Sequence, residues 1–162
     1  MRQMNSEFAE RFSVYLDTSF VSALVTQKSD IASTYQRTAS KEWWKRESGK
    51  FQLYVSEVVI EELSRPEYRS KQEALTIVKA VPSIPITDEV IGFASLLVSR
   101  KAMPGPVAGD AMHVAAATVH GIHYVLSWNV KHLANPNKTS QYVRLCWQAG
   151  LLPCRIVTPD AL

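Results

Sequence analysis

Val14-Tyr15-Leu16-Asp17-Thr18-Ser19-Phe20-Val21-Ser22-Ala23-Leu24 changes character at a single carboxylate. Val14 to Leu16 are apolar and β-favouring, the pattern of a strand buried on both faces. Asp17 closes that strand, Thr18-Ser19 is polar, and Phe20 to Val25 is an apolar helical stretch. Reading outward, Asp30 to Arg46 is helical, because Ile31, Tyr35, Ala39 and Trp43 recur every fourth residue. Ser48-Gly49 stops it. Phe51 to Val55 reads as a strand, and Ser56 as the N-cap of a helix to about Ser64, with Pro66 just beyond. A helix over Tyr68 to Ala80, a short strand over Ile84 to Thr87 and a helix over Asp88 to Lys101 follow. Met103 to Gly109 is a loop by its Pro and Gly residues, and it delivers Asp110 to the first turn of an Ala-rich helix ending at Gly121. Tyr124 to Trp128 (strand), Asn129 to Asn137 (polar break), a helix to about Gly150 and Cys154 to Val157 (strand) complete the chain.

Short strands alternating with helices predict an α/β fold: a three-layer α/β/α sandwich around a short, mainly parallel central sheet. No repeat, low-complexity tract or long linker interrupts the pattern, so residues 1–162 read as one domain with its core at about 14–158. In such sheets ligands bind outside the carboxyl ends of the strands. Asp17 and Ser127-Trp128-Asn129 fall at those ends.

Composition narrows the function classes. An apolar share of 46% with 20% charged residues excludes disorder, collagen and coiled coils. No apolar run approaches the ~20 residues of a membrane span, and no charged-then-apolar leader opens the chain; a soluble cytoplasmic protein is expected. Cys146 and Cys154 then read as reduced core thiols. Eighteen Lys and Arg against fifteen Asp and Glu leave a net charge of +3, which admits a polyanionic partner without requiring one.

The acids carry more information. Asp17 is read as a strand-end residue and Asp110 as a helix N-terminal charge, or both as parts of a site. In the helix from Glu57 to Ser64, Val58, Val59, Ile60 and Leu63 define an apolar side. Glu62 lies toward that side, whereas Glu61 and Glu57 lie almost opposite. A carboxylate leaning toward the core is costly unless it is paired or coordinates a metal, so Glu62 is the informative acid. Asp17, Glu62 and Asp110 would offer hard oxygen ligands suited to Mg²⁺ or Mn²⁺ and to phosphodiester hydrolysis.

The remaining candidates are weaker. His113, three residues after Asp110, shares its helix face; it is either a polar edge residue or a group that orients Asp110 or meets a phosphate. His120 and His123 flank Gly121 in a surface turn, and His132 lies in the polar break. Lys41, Lys45, Arg46 and Lys50 with Trp43 and Trp44 are read as a solvated helix with core tryptophans rather than a nucleic-acid track, because Glu42 and Glu47 intersperse them.

VYLDTSFVSAL near the start, VSEVVIEEL in the first third, GDAMHVAAATVHGIHYVLSWNVKHLAN late in the chain and the terminal IVTPDAL together resemble the PIN-domain nucleases, and within them the VapC-type toxins of type II toxin–antitoxin systems. The resemblance covers most of residues 14–158. It implies catalytic roles for Asp17, Glu62, Asp110 and Asn129, supporting roles for Ser19 and Ser127, and Mg²⁺ or Mn²⁺ held by Asp17, Glu62 and Asp110. It also implies an endoribonuclease acting on RNA, a homodimer and a small VapB-like antitoxin partner. The chain departs from the fully acidic pattern at Asn129, which is neutral, and at His132, where a further acid is often found. A catalytically weakened PIN-like RNA-binding or scaffold protein is therefore the alternative, and a phosphatase or deoxyribonuclease using the same metals a third reading.

Overall fold

The computed structural model describes residues 11–67, 69–131 and 136–162. Strands β1 (Ser13–Leu16), β2 (Gln52–Ser56), β3 (Ser83–Ile84), β4 (Tyr124–Leu126) and β5 (Arg155–Val157) form one sheet in the order β3-β2-β1-β4-β5. Every pairing is parallel. Helices α1 (Thr18–Val25), α2 (Ile31–Arg46), α3 (Glu57–Leu63), α4 (Lys71–Lys79), α5 (Asp88–Ser99), α6 (Met112–Val119) and α7 (Pro136–Gln148) connect the strands. Parallel connections cross over right-handed, which places α1 to α4 on one face and α5 to α7 on the other. Packing follows that division: α1 meets α2, α3 and α4, while α5 meets α6. The α/β/α sandwich expected from the sequence is present.

The central strand explains the apolar run at the start. Val14, Tyr15 and Leu16 are fully buried because β1 has a strand on each side and helices on both faces. From β1 the chain moves to β2 and β3 on one side, then crosses to β4 and β5 on the other. The direction reverses between β1 and β4, and such a switch point leaves a crevice at the carboxyl ends of the strands. The register pairs Leu16 with Leu126, so the residues that leave the two strands, Asp17 and Ser127, emerge side by side.

Several boundaries differ from the sequence reading. Asp17 lies just beyond β1 and caps α1. The strand expected over Ile84 to Thr87 is Ser83–Ile84, because Pro85 has no N–H for the ladder and Thr87 caps α5 through a bond from Val90 N. The last two strands are shorter than expected, ending at Leu126 and beginning at Arg155. Ser56 sits at the N-cap of α3, yet its side chain makes no cap bond. The loop before Asp110 closes as a wide turn over Val107–Ala111, broken at Gly109, and α6 starts only at Met112. At its far end α6 is stopped by Gly121, whose φ of 69° suits a residue without Cβ. Helix α4 begins at Lys71; Tyr68, expected to open it, and His132 lie outside the described residues.

Trp43 is buried at 2% exposure, edge-on to Phe20 and stacked on Phe51, and Trp44 packs beside it. Lys41, Lys45, Arg46 and Lys50 are exposed, as a solvated helix with core tryptophans requires. Cys146 and Cys154 are free, buried thiols. No helix among the described residues is long and apolar enough to cross a membrane.

Candidate active site

Asp17 stands 5% exposed at the switch point and is held by hydroxyls. Its Oδ2 accepts from Ser19 Oγ at 2.6 Å, from Ser127 Oγ at 2.7 Å and from Ser19 N at 3.4 Å. Each hydroxyl is aimed in turn by a backbone donor: Trp128 N bonds Ser19 Oγ, and Asn129 N bonds Ser127 Oγ, both at 3.0 Å. Each hydroxyl accepts a backbone N–H and donates its own O–H to Asp17, so the ends of β1 and β4 are locked together around one carboxylate oxygen. The other oxygen, Oδ1, faces His113 Nε2 at 3.6 Å.

His113 is 2% exposed, and its partners differ from those expected. Its Nε2 lies 2.7 Å from Glu62 Oε1, so the carboxylate it orients is Glu62 rather than Asp110. Its Nδ1 meets the Tyr15 hydroxyl at 2.7 Å, and that hydroxyl meets Ser56 Oγ at 2.7 Å. With a neutral ring, Ser56 donates to Tyr15, Tyr15 to Nδ1, and Nε2–H to Glu62. With a charged ring the first two bonds reverse while Nε2–H still points at Glu62. Burial opposes charge on His113, but the bond to Glu62 and the negative charges of Asp17, Glu62 and Asp110 outweigh it and raise its pKa. Burial likewise lifts the Tyr15 phenol far above its ordinary value, with Asp17 and Glu62 adding to the effect against Ser56, so it stays protonated. Glu62 is part-buried, while Glu61 and Glu57 are exposed, in line with their positions on the helical wheel.

Asp110 comes from the wide turn before α6, and its Oδ2 accepts the side-chain amide of Asn129 at 2.5 Å. Asn129, the neutral fourth position, thus points its nitrogen at an acid. Asp17, Asp110, His113, Ser127 and Asn129 line one small cavity of about 10 Å³, together with Val114, Val125 and Ile156. Glu62 does not line it and joins the group through His113. The sequence places Tyr15 in the first strand and Ser56 at a helix N-cap without a part in the site; the signal for one was a tyrosine in an otherwise aliphatic buried strand, whose hydroxyl needs a partner.

The donor set is three carboxylates on three separate elements, hard oxygens of the kind Mg²⁺ and Mn²⁺ take. Among the described residues no three His, Cys, Asp or Glu side chains are grouped tightly enough to enclose an ion. The residues fit such an ion by chemistry, with the positive ends of local donors now facing the oxygens.

Solved structures share this arrangement of strands and helices. VapC20 of Mycobacterium tuberculosis, a sarcin–ricin loop cleaving toxin, superposes with a TM-score of 0.58 at 20% identity over 75% of this chain and 94% of its own. The fold is that of the VapC PIN-domain toxins. A chain of the DNA-bound VapBC of Salmonella typhimurium matches at 0.57 and 14% identity, covering 91% of this chain and 98% of that one. FitAcB of Neisseria gonorrhoeae matches at 0.57 and 13%, covering 92% and 99%. No family model and no curated protein matches the sequence.

Proposed function

We propose that this chain is a metal-dependent endoribonuclease, the toxin of a type II toxin–antitoxin pair, working in the cytoplasm as a homodimer. The observation that carries the reading is the meeting of Asp17, Asp110 and, through His113, Glu62 at the switch point of a PIN-toxin sheet. VapC20 is a sarcin–ricin loop cleaving toxin, and the VapBC and FitAcB neighbours support a small antitoxin partner.

Asp17, Glu62 and Asp110 would hold Mg²⁺ or Mn²⁺, which when bound supplies charge neutralisation at a phosphodiester and acidifies water. The chain's own work is orientation. Ser19 and Ser127 fix one oxygen of Asp17 and leave the other toward His113. His113, backed by Tyr15 and Ser56, fixes Glu62. Asn129 fixes Asp110 and leaves that corner without an added negative charge.

The test is cleavage of RNA with Mg²⁺ or Mn²⁺, comparing wild type with Asp110→Asn. Cleavage by wild type that Asp110→Asn abolishes supports the reading; no cleavage by wild type, or full activity in the variant, sinks it. The neutral Asn129 and the internal pairing of all three acids favour a second reading, an RNA-binding PIN-like protein with weakened catalysis. RNA binding without metal-dependent cleavage would select it.

A further inference from the structure

Beside the acid cavity, and sharing Met103 with it, lies a groove lined by Lys101, Lys131 and Lys138 with Pro104 and Gly105. No carboxylate lines this groove, and among the described residues none pairs with its three lysines. Elsewhere on the surface Arg46 pairs with Glu42 and Lys50 with Glu47, so the groove concentrates cations that no carboxylate among the described residues compensates. Its wall is tied in place. Lys138 Nζ donates to the carbonyl of Lys101, Gln141 donates to that of Arg100, and Lys101 adopts a φ of 59°, a conformation uncommon for residues other than Gly. These bonds fasten the first turns of α7 to the chain that leaves α5.

A cavity lined by Asp17 and Asp110, with Glu62 close behind His113, repels the phosphates of any strand that enters it, whereas a groove of lysines attracts them. We propose that the Lys101–Lys131–Lys138 groove is a phosphodiester-backbone subsite, which takes the phosphates flanking the one presented to Asp17 and Asp110. The inference rests on the ribonuclease reading for the identity of the strand, and on the groove alone for its chemistry. Lys138 is half-buried and keeps one donor on Lys101; Lys101 and Lys131 are exposed and free to follow a backbone.

The experiment measures binding of a short fluorescein-labelled single-stranded RNA in EDTA across a salt series, with wild type, Lys131→Gln, Lys138→Gln and Lys79→Gln. Lys79 ends α4, which leads to the opposite edge strand, and serves as the control. Each groove lysine that meets a phosphate contributes about 0.7 to the slope of log affinity against log salt for a single strand. The expected result is a fall of about 0.7 in each groove variant and none in Lys79→Gln, with circular dichroism unchanged. Equal slopes in all four proteins, no RNA binding by wild type, or a lysine-dependent slope for polyglutamate but not RNA would overturn the subsite. Cleavage is read separately: RNA cut by wild type with all slopes equal leaves the nuclease reading standing and removes the subsite. Lysine-dependent binding without cleavage does the reverse.

Discussion

Two buried tyrosines sit against the same helix, and they do different things. Near the start of α6, the Tyr15 hydroxyl joins Ser56 to His113, and His113 reaches Glu62 and Asp17. Near its end, the Tyr142 hydroxyl lies 2.8 Å from Thr118 Oγ1 and 3.2 Å from Cys154 Sγ, and accepts Cys154 N at 3.0 Å. Thr118 gives its own proton to Val114 O, so the second cluster closes on itself with every member neutral. Burial raises both phenols above their ordinary value and pushes the Cys146 thiol up to about 11. The clusters are similar in burial and hydrogen bonding. What separates them is charge: the first ends in carboxylates beside a cavity, and the second fastens β5 and α7 to α6. Buried polarity alone therefore marks no site here; buried polarity that orients acids at a switch point does.

The largest effects are expected at the acids. Asp17→Asn and Glu62→Gln are expected to lower RNA cleavage by about 10²–10³-fold with the fold retained, since each removes a charge from the site. Glu61→Gln, on the exposed face of the same helix, should leave activity and stability within about 0.5 kcal/mol of wild type. Initial-rate assays on the three variants decide it, and a crippled Glu61→Gln with an active Glu62→Gln would reverse the assignment.

Tyr15→Phe against Tyr142→Phe sharpens the contrast. Each leaves buried partners unsatisfied and should cost about 1–3 kcal/mol in denaturant unfolding. Only Tyr15→Phe should also weaken metal affinity or cleavage, by about 10–100-fold, because it frees the histidine that orients Glu62. Equal losses of activity in both would mean that the two clusters serve stability alone.

Asn129→Asp replaces a donor facing Asp110 with a second carboxylate. It should tighten Mg²⁺ binding by about 1–2 kcal/mol at the high dielectric of this exposed corner, and destabilise the metal-free protein. Paired calorimetric titrations at one ionic strength measure the first effect. Indistinguishable affinities would place residue 129 outside any ion site.

The smallest expected effect is on pH dependence. The raised pKa of His113 means that the folded, metal-free protein binds this proton more tightly than the unfolded chain, whose value is near 6.5. Its stabilisation is fully present below 6.5 and is lost as pH rises through the folded value. Urea unfolding in EDTA should show wild type losing stability over that rise relative to His113→Gln. Parallel pH curves would show that the ring has the same pKa folded and unfolded.

The βα alternation is legible in the residues alone, because hydrophobic periodicity is a local property, and so is the choice of Glu62 over Glu61, because helical geometry alone sets the angle between them. The sequence placed Asp17 and Ser127 at strand ends for the same reason. What it left open was who faces whom. Tyr15 and His113 are 98 residues apart and Glu62 and His113 are 51 apart; their contacts depend on crossovers and on the Leu16–Leu126 register, which no local pattern contains. Only the tertiary structure turned His113 from Asp110 toward Glu62, drew Tyr15 and Ser56 in behind it, and set the nitrogen of Asn129 against Asp110. A periodic pattern states which face of an element is buried, whereas the partner of a buried polar atom is decided by whatever distant segment the fold brings within about 3 Å of it.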